Sequence, residues 1–225
     1  MKTLILSDLH SQNASYFIEE QRKHGIDKLV CLGDYDDPEV LEHLLDLEMP
    51  KIILTGNHDH GFANRTQIES DVLTASPRVY VNLWADEEFK RAKNHVLNPA
   101  NIKQEEEIKD KKVVYVHSSL TESSDSLSVI RPSQLWDRIL VSQENIKENF
   151  QIMQENNYWI LFRGHDHFSG IFSVPFSNSS AIEMRHSTNL EEDKRHIVSI
   201  GPFFLGEYAL FDTETLELDF LHLKD

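Results

Sequence analysis

The chain has 225 residues, 40% hydrophobic and 27% charged, a length and balance that suit one globular core. Its 38 acidic against 22 basic side chains leave a formal charge of −16, which weighs against a nucleic-acid partner, because such proteins present basic surfaces that displace phosphate counterions. A single cysteine, Cys31, excludes an internal disulfide and a Cys-type structural zinc site.

In chain order, Leu4-Ile5-Leu6 reads as a buried strand that ends in Ser7-Asp8-Leu9-His10. Residues 13–24 carry helical spacing and stop at Gly25. Leu29-Val30-Cys31-Leu32 predicts a second strand running into Gly33-Asp34-Tyr35-Asp36-Asp37, and Pro38 opens a helix through Leu45. Ile52-Ile53-Leu54 predicts a third strand before Gly56-Asn57-His58-Asp59. This alternation implies right-handed βαβ units with parallel strands. Residues 62–75 read as helix and 78–81 as a short strand.

Residues 84–112 are polar and read as one or two exposed helices with a connecting loop. Val113-Val114-Tyr115-Val116 is a strand leading to His117-Ser118; a Ser- and Thr-rich loop then covers 120–131, and 132–156 is helical. Trp159-Ile160-Leu161-Phe162 leads to Gly164-His165-Asp166-His167. The segments 84–112 and 120–156 flank these strands and are expected to wall a substrate cleft within one domain spanning 1–225. Short strands at 170–174, 181–184, 197–200, 207–211 and 217–221 predict an antiparallel run. No stretch reaches the roughly 18 apolar residues of a membrane span. Met1-Lys2-Thr3 leads straight into the first strand and leaves no room for a signal peptide, so a cytoplasmic setting is expected.

Five clusters of His, Asp and Asn thus fall at the C-terminal mouths of strands, where open α/β sheets place their ligand sites. Imidazole, carboxylate and amide donors of this kind suit Mn²⁺, Fe²⁺ or Zn²⁺, and this many could hold two ions. Paired cations need an anionic bridge to offset their repulsion, and the Asp34 carboxylate suits that place. A pair of ions would supply a hydroxide nucleophile near neutral pH without any Ser or Cys.

The order D-x-H, G-D-x-x-D, G-N-H-[DE], a lone His after a strand, and G-H-x-H resembles the calcineurin-like metallophosphoesterase superfamily over roughly residues 4–167. The resemblance implies an α/β fold, a two-sheet β-sandwich flanked by helices in four layers. It implies two divalent metal ions, the first held by Asp8, His10 and His167, the second by Asn57, His117 and His165, with Asp34 bridging. His58 would stand beside the leaving group. Asp37 matches the carboxylate that orients it, being three residues after Asp34; Asp36 is a neighbouring competitor. Asp59 reads as a helix-start or supporting acid.

One departure matters. The Arg that follows the second Asp in the protein Ser/Thr phosphatases is Pro38 here, so that phosphate clamp is absent. Arg65 and Arg163 are candidate substitutes, and Arg163 is expected at a strand end turned to solvent. His60 directly follows the third cluster and is a weaker substrate-contact candidate. The Gly201-Pro202 turn resembles a glycine turn that single-domain members carry near their metals.

The activity implied is hydrolysis of a phosphomonoester or phosphodiester by a metal-bound hydroxide, on a small phosphorylated substrate or a phosphoprotein. The alternatives are an inactive scaffold of the same fold, as in the retromer subunit, and a metal-dependent nuclease.

Overall fold

A strand buried on both faces needs apolar residues on both, and Leu4, Ile5 and Leu6 supply them in the first strand, β1 (Lys2–Leu6), after an exposed Lys2 and a buried Thr3. Successive side chains point to opposite faces: Leu4 and Leu6 enter one apolar cluster, Ile5 another, and all three are fully buried. The computed structural model describes residues 1–64, 78–121, 133–140, 142–176, 183–185 and 188–223.

After β1 come α1 (Ser15–Lys23), β2 (Lys28–Cys31), α2 (Pro38–Asp46), β3 (Lys51–Ile53) and α3 (Asn57–Ala63). The middle of the chain holds α4 (Arg78–Leu83), α5 (Lys90–Val96), β4 (Lys103–Ile108), β5 (Lys111–Val116), α6 (Ser133–Trp136) and α7 (Gln143–Glu155). The last part is mostly strand: β6 (Tyr158–Arg163), β7 (Gly170–Pro175), β8 (Glu183–Arg185), β9 (Thr188–Asn189), β10 (Lys194–Ser199), β11 (Glu207–Asp212) and β12 (Glu217–His222).

The strands form two six-stranded sheets, in the orders β3-β2-β1-β11-β12-β9 and β4-β5-β6-β10-β7-β8. In the first, β1, β2 and β3 run parallel, and β11 joins β1 antiparallel. In the second, β6 is parallel to both β5 and β10, while β4 pairs antiparallel with β5 and β7 antiparallel with β10.

The sheets face each other across a core of Ile5, Val30, Leu32, Val113, Tyr115, Ile160, Phe162, Val198 and Phe211. On the outside of the first sheet, Leu4, Leu6, Leu29 and Cys31 pack with Ile18 of α1 and Leu41 and Leu44 of α2. On the outside of the second, Val114, Val116, Leu161 and Ile197 pack with Ile146, Phe150 and Met153 of α7. The result is the expected two-sheet α/β sandwich flanked by helices. Among the described residues no helix is long and apolar enough to cross a membrane.

Three expectations need correction. Residues 78–81 lie in helix α4 rather than a strand, because Tyr80 packs near Phe62 and the Trp84 indole donates to the Asp36 carbonyl at 2.6 Å. Residues 84–112 contain a strand as well as helix: β4 pairs along its whole length with β5. The late strands do not form one run, since β11 and β12 extend the first sheet while β7, β8 and β10 belong to the second. Most of the helix expected at 62–75 and most of the loop at 120–131 lie outside the described residues.

Candidate metal centre

The parallel strands of both sheets deliver their C-terminal loops to one place, and backbone hydrogen bonds fasten those loops together. Asp8 N–H donates to Gly33 O at 3.1 Å and His10 N–H to Asp34 O at 2.9 Å, tying the loop after β1 to the loop after β2. Gly164 N–H donates to His117 O at 2.9 Å, tying the loops after β6 and β5. Other bonds cross between the sheets, among them His165 N–H to Asp8 Oδ2 at 3.1 Å and the His117 ring Nδ1 to Leu32 O at 2.7 Å.

The loops turn sharply. Asp8, His10, Asp34, His165 and His167 all have positive φ, between 44° and 68°. Asp and His tolerate this region better than most residues, but it is costly and persists where surrounding structure fixes it, as at functional sites.

Asp59 supplies much of that fixing. From the first turn of α3 its buried carboxylate accepts the N–H groups of Gly56, Asp34, Tyr35 and Asp36 at 2.9, 2.9, 2.8 and 3.1 Å. Burial, with Asp34 and Asp36 adding, pushes its pKa up to about 7, against the pull of the N–H donors. The expectation of a helix-start acid supporting the site matches this geometry.

The side chains gather in two adjoining groups. Asp8, His10 and His167 present donor atoms within 4.8 Å of one another, as do Asp34, His117 and His165. Asn57 Oδ1 sits 2.9 Å from both His117 Nε2 and His165 Nδ1, within the second group. Asp34 lies between the two: Oδ1 is 3.5 Å from His117 Nε2, and Oδ2 is 4.0 Å from His10 Nε2. All seven residues named as ligands from the sequence are thus together.

The donor chemistry fits divalent ions. Asp8 Oδ2 accepts from Ser7 Oγ at 2.5 Å and from His165 N–H, while buried Asp8 Oδ1 has only the ion-pair approach of His167 Nε2 and no well-aligned hydrogen bond. His10 Nδ1 is held by Asp36 Oδ2 at 3.0 Å, and its buried Nε2 is likewise without one. His117 Nδ1 is occupied by a carbonyl, which leaves Nε2 as the ligating lone pair. Buried polar atoms without a well-aligned hydrogen bond are rare in proteins, and here two, Asp8 Oδ1 and His10 Nε2, lie in one group with His167, whose Nε2 is 3.3 Å from Asp8 Oδ1.

Electrostatics follow from this crowding. Burial works to raise the Asp34 pKa, but the imidazoles of His117 and His58 outweigh it and hold the carboxyl well below the usual range. Burial works to lower His117, and Asp34 reverses it, raising the imidazole to about 9. His165, buried beside His117, is pushed down to about 4 and is a neutral donor at physiological pH. The second group therefore holds a proton where a cation would serve the same charge.

His58 joins neither of these groups but forms a third with His10 and Asp36, whose donor atoms also lie within 4.8 Å of one another. Its Nδ1 lies 2.8 Å from Asp36 Oδ1, and its ring centroid is 4.8 Å from that of His10. Against the cost of burial, Asp34 and then Asp36 raise its pKa to about 10. The carboxylate that holds His58 is therefore Asp36, not Asp37, and the same carboxylate holds His10. Asp37 is extended, with φ −91°, and caps α2 by accepting from Glu39 N–H at 2.9 Å. Pro38 was the available signal: Pro at the first helical position makes the preceding Asp the N-cap.

Arg163 also departs from expectation. It is fully buried rather than turned to solvent, with Nη1 2.8 Å from Asp166 Oδ2 and 3.1 Å from Ser199 Oγ. It braces the loop between His165 and His167 from behind. Arg65 lies outside the described residues. His60 is buried in α3, and burial lowers its pKa.

The Gly201-Pro202 turn does approach the site: Phe203 N–H donates to Ser7 O at 2.8 Å and Phe204 N–H to Asp8 O at 3.3 Å. Phe204 was not singled out from the sequence. Its ring lies 5.1 Å from His10 and 5.3 Å from His167 between centroids. A Phe-Phe pair after a turn carries no signal of such a placement.

Known proteins share this architecture. An uncharacterised protein of Methanocaldococcus jannaschii is 22% identical, over 98% of this chain and 86% of its own length. The crystal structure of a metallophosphoesterase from Sphaerobacter thermophilus superposes with a TM-score of 0.68 at 19% identity, covering 100% of this chain and 88% of that one. An archaeal phosphodiesterase gives a TM-score of 0.52 at 17% identity, covering 99% and 100%. The family model for the calcineurin-like phosphoesterase superfamily domain matches residues 1–178. With the match covering most of the chain and the fold agreeing, this protein belongs to the calcineurin-like phosphoesterase superfamily, a membership that supports metal-dependent phosphoester hydrolysis as its general chemistry.

Proposed function

We propose that the protein is a hydrolase of phosphomonoesters or phosphodiesters that works through a dinuclear metal centre. The observation that carries this reading is the pair of adjoining donor groups with Asp34 between them. In it, Asp8, His10 and His167 would hold one ion and Asn57, His117 and His165 the other, with Asp34 the carboxylate shared between them. Divalent ions bound there would supply Lewis acidity and lower the pKa of water.

The chain's own residues do the rest. Asp36 fixes the rings of His10 and His58 through their Nδ1 atoms, so His58 Nε2 is the atom free to face a departing oxygen. A proton on that nitrogen can pass to the leaving group, or its charge can offset the phosphoryl oxygens. The segments carrying Trp84 and Asp137–Leu140 are tied to the loops of the site: the buried Trp84 indole donates to the Asp36 carbonyl, and Leu140 N–H donates to Asp166 Oδ2 at 3.1 Å. That placement supports their role as cleft walls. The physiological metal among Mn²⁺, Fe²⁺ and Zn²⁺ follows from availability as much as from mixed N and O ligation.

The test is reconstitution with Mn²⁺ followed by elemental analysis and turnover of aryl monoesters and diesters. Two equivalents per chain with turnover are expected. Asp34→Asn should lower metal content and abolish turnover, and His58→Ala should keep both metals while losing about 10²–10⁴-fold in rate. A fixed stoichiometry of one, or full metal without turnover of any ester, would sink the proposal, the latter in favour of a scaffold.

A further inference from the structure

Resting on the proposed phosphoester site, we infer that Phe204 is its specificity-determining wall, against which a flat apolar group of the substrate, an aryl ring or a nucleoside base, packs while the phosphoryl group sits at the metal ligands. The two phenylalanines of the turn are used differently. Phe203 is buried and packs 5.4 Å from Phe17 in the core, whereas Phe204 is 36% exposed. The display is not slack. Backbone bonds from Phe203 and Phe204 to the carbonyls of Ser7 and Asp8 fix the turn to the loop that carries Asp8 and His10, and Gly206, at φ 89°, closes it.

The ring is therefore part of the site's frame. It lies at 83° to the His10 plane and 71° to that of His167, flanking both imidazoles proposed for the first metal. A phosphoester whose phosphorus lies over the ligands must send its organic substituent out past the surrounding side chains. On the side of His10 and His167 the surface it meets is an aromatic ring, and the next residue, Leu205, is 56% exposed. A hydrophilic substituent such as glycerol would gain nothing from covering that ring, while a flat apolar one removes two apolar surfaces from water at once. Covering about 55 Å² at about 25 cal/mol per Å² corresponds to roughly tenfold in affinity.

The experiment compares phenylphosphonate with methylphosphonate, neither of which can be hydrolysed as an ester, by titration calorimetry on Mn²⁺-reconstituted protein. The wild type is expected to bind phenylphosphonate about tenfold more tightly. Phe204→Ala should lose that preference while keeping metal content and its affinity for methylphosphonate, and Phe204→Tyr should retain the preference. The same split is expected in KM between phenyl and methyl esters. No preference in the wild type, or an equal loss for both phosphonates with a fall in metal content, would overturn the inference, the second by showing that the ring only props His10 and His167. Loss of the preference in Phe204→Tyr would also overturn it. A protein that binds both phosphonates with the expected preference but hydrolyses no ester would refute the hydrolase reading and leave this one standing.

Discussion

At Asp36 a φ of 61° turns the carboxylate back to His10 and His58, while at Asp37 an extended backbone sends the same group forward to the N-terminus of α2. Backbone direction thus gives two adjacent, chemically identical residues different work. Asp36→Asn should cost about 10–100-fold in turnover or metal affinity, the usual effect of removing a carboxylate behind a ligand or catalytic His. Asp37→Ala should leave turnover near wild type and lower stability by about 1 kcal/mol through loss of the cap. Steady-state kinetics and urea unfolding on the two variants check this, and the reverse pattern would return the orienting role to Asp37. The five clusters were legible because the buried strands before them are plainly apolar, and the seven ligand candidates within them came from the resemblance of their order to a known superfamily. The partner of His58 was not, because spacing alone cannot say which way a turn faces.

Element boundaries were legible where apolar periodicity was strong and lost where packing overrode it. Strand β4 has the sequence KQEEEI, in which every second residue is half-buried or more. It is an edge strand whose inward side carries Gln104 and Glu106, the latter bonded to Lys28 and Tyr115, before a single buried apolar residue, Ile108, at its end. One apolar residue gives no alternation to read. Helix α4 has β-rich spelling, but strand propensity is a weak preference that tertiary contacts overrule. The glycines of the motifs carry a steric meaning that their spelling alone does not state. A Cβ on Gly56 would come within 2.1 Å of Asp34 N and Oδ1, and one on Gly164 within 1.7 Å of Ser7 Oγ. Gly56→Ala should therefore displace Asp34 and lower metal content. Gly25, at φ 88° with open space around its Cα, differs: Gly25→Ala should cost about 1–2 kcal/mol of stability from backbone strain alone and keep both metals. Elemental analysis and denaturant melts of the pair separate the effects, and equal metal retention in the two variants would contradict the close-packed reading of Gly56.

On the scale of the whole molecule, the sandwich joins two sheets that each contribute donors. Asp8, His10, Asp34 and Asn57 come from loops of the first sheet, and His117, His165 and His167 from loops of the second. Five of these residues have positive φ, and the acidic cluster of Asp8, Asp34, Asp36 and Asp59 is buried. Without cations that edge carries backbone strain, and its carboxylates are offset by the protons on His58 and His117, so binding should act as a clamp between the sheets. A ligand that binds only the folded state stabilises it by about 2.7 kcal/mol at 100 times Kd, which for a chain of this size is a rise of roughly 5–10 °C in Tm. Adding Mn²⁺ to chelator-treated protein should raise Tm by that order, increasing with concentration. Asp34→Asn should show a much smaller rise, because the carboxylate that neutralises both positions is gone. Calorimetric melts across a Mn²⁺ series, repeated after chelation, measure both. A Tm indifferent to Mn²⁺, or a full rise in Asp34→Asn, would mean that the ions do not bind between the sheets at the site drawn from these seven residues.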